Sequence, residues 1–252
     1  MYPILQFDPS PSAIINPTAI ELSQKAPVRA VMCFFQDVLR PLAEQGRLRQ
    51  IGQVNWETGP NPIYIYEAAG SEPVLVVHPG VGAPLAAGYM EEIIACGCNR
   101  IIACGGCGSL HPEITVGYPL VLTAAVRDEG TSYHYLPPAR EIAAQPGPIS
   151  AIEAACRAKG VGYRLVKSWT TDAVYRETAA RRALRLAEGC DVVEMEASAF
   201  LAVAEFRGVS FGQILYGGDL VVPEGWDERN WSHRSDDRRI IFELALAAAL
   251  NL

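Results

Sequence analysis

Residues 73–104 constrain the fold more tightly than any other stretch. The apolar run 73–78 (PVLVVH) suits a buried strand and ends in Pro79-Gly80-Val81-Gly82-Ala83-Pro84; a helical stretch follows over 85–95. A second apolar run, 99–104 (NRIIAC), then enters Gly105-Gly106-Cys107-Gly108-Ser109. Strand, helix and strand at this spacing form a βαβ unit, whose crossover requires parallel strands covered on both faces. Sheets of this kind take ligands beyond the carboxyl ends of their strands, where both glycine loops fall. The expectation is an α/β single domain with a mixed, mostly parallel central sheet flanked by helices.

The remaining pattern extends that unit. Residues 28–35 (VRAVMCFF) read as a buried strand, and 36–50 as a helix that Pro41 kinks or delays. Residues 53–69 alternate as a strand pair turned at Gly59-Pro60-Asn61-Pro62. Further strands are expected over 118–127 and 163–169, and helices over 150–159, 177–188 and 236–250. Residues 191–222 read as a short strand, an acidic elbow, a helix stopped by Gly208, and a strand running into Gly217-Gly218-Asp219. Residues 1–27, rich in Pro and Ser without a sustained period, form an N-terminal arm to a domain over 28–252. Repeats, low-complexity segments and long linkers are missing from the sequence.

Composition narrows the classes of function. A net charge of −7 without a Lys/Arg run argues against nucleic acid as a partner. No apolar run approaches the ~20 residues of a membrane span. The N-terminus lacks a basic region and a long apolar core, so a cytoplasmic location is expected rather than secretion. The seven cysteines then read as reduced, small apolar side chains; no spaced His pair turns Cys96, Cys98, Cys104 and Cys107 into a metal site.

Four constellations carry candidate chemistry. The glycines of Gly80-Val81-Gly82 suit either a tight turn or a close backbone approach to an anion or a sugar hydroxyl. Leu85 occupies the third glycine position of a dinucleotide fingerprint, which argues against a nicotinamide enzyme. Gly105 to Ser109 serve either tight packing or a ligand. Glu194 and Glu196, flanking Met195, either cap the following helix or accept hydrogen bonds from vicinal hydroxyls beside a pliable apolar wall. Asp219 is either a turn residue or an acid facing a ligand nitrogen. Among the histidines His78, at the end of its strand, is best placed to take part.

In this order, Gly80-x-Gly82-x-Pro84, residues 101–110, residues 125–135, Val193-Glu194-Met195-Glu196-Ala197 and Gly218-Asp219 resemble the nucleoside phosphorylase/uridine phosphorylase family. That family includes nucleosidases acting on methylthioadenosine and adenosylhomocysteine. The resemblance covers roughly residues 28–250, and its most specific part is Glu-Met-Glu-Ala. It implies cleavage of the bond between ribose and base, with transfer of ribose to phosphate by a pentosyltransferase of nucleotide salvage. By the same resemblance Met195 and Glu196 hold the ribose, Glu194 matches an acidic position, and Asp219 protonates a purine leaving group. It also implies a homo-oligomer, phosphate as co-substrate, and neither metal nor organic cofactor.

The chain departs from the family where phosphate is gripped. An Arg and a Ser or Thr of the second glycine loop are replaced by Ala103 and Gly106. The early Gly-Asp-Pro-x-Arg loop has only an echo, Pro27-Val28-Arg29, ahead of the first strand. Arg127 and Arg176 are candidate substitutes. The Gln and Arg that read uracil have no match after Thr170-Thr171-Asp172. The alternatives to phosphorolysis are hydrolysis by water on the same scaffold and a nucleoside-binding protein without turnover.

Overall fold

Short runs of apolar residues become buried strands, and the small-residue stretches between them become covering helices. The computed structural model describes residues 2–252. In chain order it holds β1 (Arg29–Cys33), α1 (Gln36–Glu44), β2 (Leu48–Trp56), β3 (Gly59–Tyr66), β4 (Val74–Val77), α2 (Ala83–Ala95) and β5 (Arg100–Ser109). It continues with β6 (Pro119–Asp128), β7 (Glu141–Ala143), α3 (Pro146–Ala158), β8 (Arg164–Thr171) and α4 (Ala179–Ala187). The last elements are β9 (Val192–Glu194), α5 (Ala197–Arg207), β10 (Ser210–Val222), β11 (Gly225–Asp227) and α6 (Ser235–Leu250).

The expected α/β architecture is present. Strands β4, β1, β5 and β10 lie side by side and parallel at its centre, with β1 inserted between the two strands of the βαβ unit. Antiparallel strands β3 and β2 extend one side. On the other, β10, β6, β8 and β9 run on until β9 pairs back onto β5, closing five strands into a ring. Register shifts between Leu122 and Ala124 and between Gly217 and Leu220 supply the bending that closure demands. Helices α2 and α5 cover one face through Met90, Ile93, Phe200 and Val203; α1, α3 and α6 cover the other through Val38, Ile152 and Phe242.

Local chemistry explains the helix ends nearest the site. Pro84 sits in the first turn of α2, where its missing N–H costs nothing. Gly208 ends α5 in the left-handed conformation, with φ 67°. Ala197 to Ala204 are buried all round the axis, as an apolar helix lacking a polar face requires.

Four expectations need correction. Helix α1 stops at Glu44 rather than residue 50, because Gly46 (φ 72°) turns the chain and Leu48 opens a strand. Buried Leu48, Ile51 and Val54 mimic helical spacing because a bulge between Gln50 and Gly52 shifts the strand's alternation. The hairpin turns at Glu57-Thr58, and Pro60 and Pro62 lie in β3 itself. They are tolerated because β4 pairs β3 only from Ile63 to Tyr66, so neither proline is asked for an amide on that side. Residues 105–109 are the continuation of β5, not a loop. Likewise Gly217-Gly218-Asp219 is a bulged part of β10, not its terminus. Strands β7 and β11, of three residues each, carry too little pattern to be expected.

Ahead of β1 there is one short 3-10 turn, Pro3–Leu5, and the chain then runs across the body. Ser23 donates its amide to the Ile51 carbonyl at 2.8 Å. Leu22 fills the space over Gly52 that a Cβ would occupy. All seven cysteines are free thiols, buried except for the part-buried Cys96. Among the described residues no helix is long and apolar enough to cross a membrane.

Candidate active site

The loop after β4 is built around two glycines with positive φ, Gly80 at 75° and Gly82 at 90°. Gly80 donates its amide to His78 Nδ1 at 3.0 Å, which puts the ring proton on Nε2. Burial lowers the His78 pKa, partly offset by the Phe34 backbone, so the ring is neutral and serves as a wall and an acceptor. The ring meets Phe34 edge-on, with centroids 6.0 Å apart. Val81 stands at the loop's tip, 64% exposed. Gly82 caps α2 and donates its amide to Glu196 Oε1 at 2.6 Å. One hydrogen bond thus joins the first glycine loop to the acidic elbow.

The two glutamates of that elbow have different occupations. Glu194 is buried and accepts from Ser168 Oγ (2.8 Å), Thr170 Oγ1 (2.6 Å), and the amides of Glu196 (2.7 Å) and Ala197 (2.6 Å). It is the cap of α5 and the clamp between β8 and β9. Glu196 begins that helix, and burial and then the neighbouring Glu194 push its pKa to about 8, against the pull of the Gly82 amide. It is 6% exposed, with part-buried Met195 beside it.

Asp219 stands on the other flank of β5. Gly108 pairs with Val193 of β9 on one side; the next residue, Ser109, pairs with Leu220 of β10 on the other. A Cβ on Gly108 would lie 3.0 Å from Val193 Cγ1 and 3.6 Å from Asp219 Oδ1. The glycine therefore permits the close approach that brings both carboxylate clusters to one end of the sheet. Asp219 Oδ2 accepts from Trp226 Nε1 of β11 at 2.6 Å. Glu177, just before α4, is lifted to a pKa of about 7 by burial and then by the charge of Asp219. Two acids therefore share this side of the candidate site.

Other expected residues are engaged elsewhere. The space a Cβ would take on Gly105 is held by the Phe34 ring (2.9 Å), and on Gly106 by the Tyr216 ring (3.0 Å). These glycines serve packing. Arg127 is buried and donates from Nε to Ser132 Oγ (2.9 Å), from Nη1 to the Pro137 carbonyl (2.8 Å) and from Nη2 to the Leu136 carbonyl (3.2 Å). It also lies over the Tyr133 ring. Its fork holds the segment after β6 and offers no pair of donors to an anion. Arg176 is exposed. Ala103 is fully buried between β1 and β10, paired with Met32 and Gln213.

Sequence reasoning missed Phe34, Ser168, Thr170, Trp226 and Glu177. Ser168 and Thr170 alternate along β8 and signal a polar inward stripe; Trp226 and Glu177 have no local signal, since only the fold brings them to Asp219.

A buried carboxyl beside an apolar thioether suits a polyhydroxylated, uncharged ring, and positive charge growing on that ring would draw the carboxyl toward its ionised form. A carboxyl at the opposite flank suits a leaving group that takes up a proton or a hydrogen bond as it departs. Comparison with known proteins agrees in fold. A family model described as the phosphorylase superfamily matches residues 28–250. A uridine phosphorylase of Haemophilus influenzae is 33% identical over 90 residues, 36% of each chain. A guanosine phosphorylase of Halorubrum lacusprofundi is 41% identical over 56 residues, 22% of this chain and 23% of the relative. The match thus spans about a third or less of these curated relatives' length. Among solved structures, a purine nucleoside phosphorylase of Toxoplasma gondii superposes with TM-score 0.77 at 21% identity, covering 93% of this chain and 97% of that one. An AMP nucleosidase of Bacteroides thetaiotaomicron superposes with TM-score 0.70 at 23% identity, covering 87% and 85%.

Proposed function

The chain belongs to the phosphorylase superfamily, and from that premise we propose that it cleaves the N-glycosidic bond of a nucleoside and transfers the ribose to phosphate. The observation that carries this reading is the buried Glu196 carboxyl, held by the Gly82 amide beside Met195, with Asp219 across Gly108. The bond from C1′ to the base nitrogen breaks with its electron pair going to the base. Positive charge grows on the sugar, and a phosphate oxygen forms the new bond to C1′. Glu196 engages the ribose hydroxyls, and its proton becomes more acidic as that positive charge develops. Asp219, entering the step protonated, gives that proton to the departing base nitrogen and is left a carboxylate for solvent to reprotonate, which favours purines. Met195 forms the apolar wall under the sugar. The products are ribose 1-phosphate and the free base. On this reading the protein is a cytoplasmic salvage enzyme and a homo-oligomer, with residues 1–27 as an arm on its catalytic domain.

A second reading, hydrolysis, is favoured by Ala103 and Gly106, which stand where the resemblance implies an Arg and a Ser or Thr for phosphate. Water would then take the place of phosphate and release free ribose. Incubation with a panel of purine and pyrimidine nucleosides, with and without phosphate, tests both. Phosphate-dependent ribose 1-phosphate supports the proposal; free base and free ribose at equal rates without phosphate overturn it in favour of hydrolysis.

A further inference from the structure

Glu177 lies in the turn into α4, between the 3-10 turn Val174–Arg176 and the N-cap Thr178. Its carboxyl is part-buried, yet it accepts no hydrogen bond and enters no ion pair among the described residues. Such a side chain keeps one side toward solvent and is free to turn. Arg182 fixes where the turn sits. Its Nε donates to the Val221 carbonyl of β10 at 2.6 Å, and its Nη2 to the Leu110 carbonyl just beyond β5. Val221 is two residues past Asp219, and Leu110 two past Gly108, whose missing Cβ admits Asp219 Oδ1. The start of α4 is thereby clamped over the strand segment that carries Asp219. The two carboxyls feel each other there: burial first, and then the charge of Asp219, raise the Glu177 pKa to about 7. An acid in that range both gives and takes a proton at neutral pH.

No cation pairs with either carboxyl among the described residues. Arg182 is engaged with the two carbonyls, and Arg181 and Arg185 face Asp128 at 3.6 and 2.8 Å. Arg229, beyond β11, donates to the Ile114 and Pro112 carbonyls at 2.7 and 3.2 Å. Arg176 is exposed, and so is His233, whose Nδ1 meets Ser232 Oγ. The remaining titratable groups on this flank are Cys107 of β5, Glu194 of β9 and Asp227 of β11, none of which brings positive charge. The Trp226 indole donates to Asp219, but only to Oδ2. Two carboxyls that repel without a cation relieve the repulsion by keeping one proton between them.

We propose that Glu177 is the proton reservoir of Asp219: the two side chains share one proton, and Glu177 carries its replacement from solvent to Asp219 after each cleavage. The inference deepens the proposed reaction and rests on it for the use of the proton, though not for the pairing. The Asp219 O–H bond breaks as the base nitrogen takes the proton, while the glycosidic electron pair goes to the base. The Asp219 carboxylate then takes the proton of the Glu177 carboxyl, and the Glu177 carboxylate takes one from solvent, which restores both groups. Glu177 touches no reacting atom; it is a positioning residue that sets the proton on Asp219.

A carboxyl carbon-13 NMR titration of the full chain, labelled at glutamate, tests the pairing without turnover. The resonance missing from Glu177→Gln should titrate at about 7 in the wild type and closer to an ordinary glutamate in Asp219→Asn. A Glu177 midpoint in the ordinary range, or one that Asp219→Asn leaves in place, overturns the proposal. Double-mutant kinetics on a purine nucleoside then test the relay. Glu177→Gln should lower kcat at neutral pH by about tenfold or more with KM unchanged, and Glu177→Asp should retain part of the rate. In an Asp219→Asn background Glu177→Gln should cost nothing further, because its effect runs through that aspartate. Losses that multiply independently mark Glu177 as structural and overturn the relay. A wild-type chain that shows the coupled titration yet cleaves no nucleoside overturns the catalytic reading and leaves the pairing standing.

Discussion

The Gly82 amide and the Glu196 carboxyl are 114 residues apart in sequence and 2.6 Å apart in space. That bond couples the two halves of the site. The helix beginning at Ala83 and the helix beginning at Ala197 pack on the same face of the sheet, so their starting ends meet. A carboxyl at such a junction is shielded from water and held by one backbone donor.

Glu196→Gln keeps the acceptor for Gly82 and removes the ionisable proton. Nucleoside cleavage is expected to fall by roughly 10²–10³-fold, the scale of losing one electrostatic partner of a transition state. Steady-state kinetics with a fold check by circular dichroism measures it; full activity in the Gln variant would remove Glu196 from the mechanism.

The same residue sets a pH dependence of stability. Its pKa is raised from 4.5 to about 8 in the folded chain, so between those values the folded state binds more protons than the unfolded one. Stability is therefore full below pH 4.5 as far as this group is concerned, and declines as pH rises toward 8, by on the order of 3–5 kcal/mol. Urea unfolding at pH 5 and pH 8 should show this decline in the wild type and a flatter profile in Glu196→Gln.

Glu194→Ala leaves two hydroxyls and two helix-start amides without their acceptor. A loss of about 2–4 kcal/mol is expected. Glu194→Gln, which retains one oxygen, should lose roughly half as much. Denaturant midpoints decide; an unaffected Ala variant would mean that water replaces the clamp.

Gly82→Ala meets no atom within 4 Å, so its cost is backbone strain alone at φ 90°, about 1–3 kcal/mol. Gly80→Ala adds a steric conflict, since its Cβ would lie 2.4 Å from Leu85 Cδ2. The second variant should be the less stable in thermal unfolding.

Asp219→Asn should lower purine nucleoside cleavage more than pyrimidine cleavage, because only the former needs the base nitrogen protonated. Trp226→Phe removes the 2.6 Å indole donor and should loosen the aspartate, giving a smaller loss of the same kind. Equal losses on both classes of substrate would assign Asp219 a purely structural role.

Much of this was legible in local pattern. The apolar runs at 73–78 and 99–104, Pro84, Gly208 and the acidic pair around Met195 each state their structure within a few residues, because strand burial, capping and helix termination are short-range. The resemblance of the same segments also points to the family that the matching family model shows. What remained hidden depends on partners distant in sequence. Glu194 and Glu196 are indistinguishable by spacing, and only the positions of Ser168, Thr170 and Gly82 give one carboxyl four donors and leave the other with the Gly82 amide. Gly105 and Gly106 read as loop until β9 and β10 pair along β5 and the Phe34 and Tyr216 rings close over them. Arg127 was a free cation on paper; the carbonyls of Leu136 and Pro137 consume it. The sequence by itself determined the order of the core strands and helices and the family they belong to. Tertiary structure decided which side chains are left free to act, because hydrogen bonds and close packing between distant segments settle whether a polar group is spent on the fold or available to a ligand.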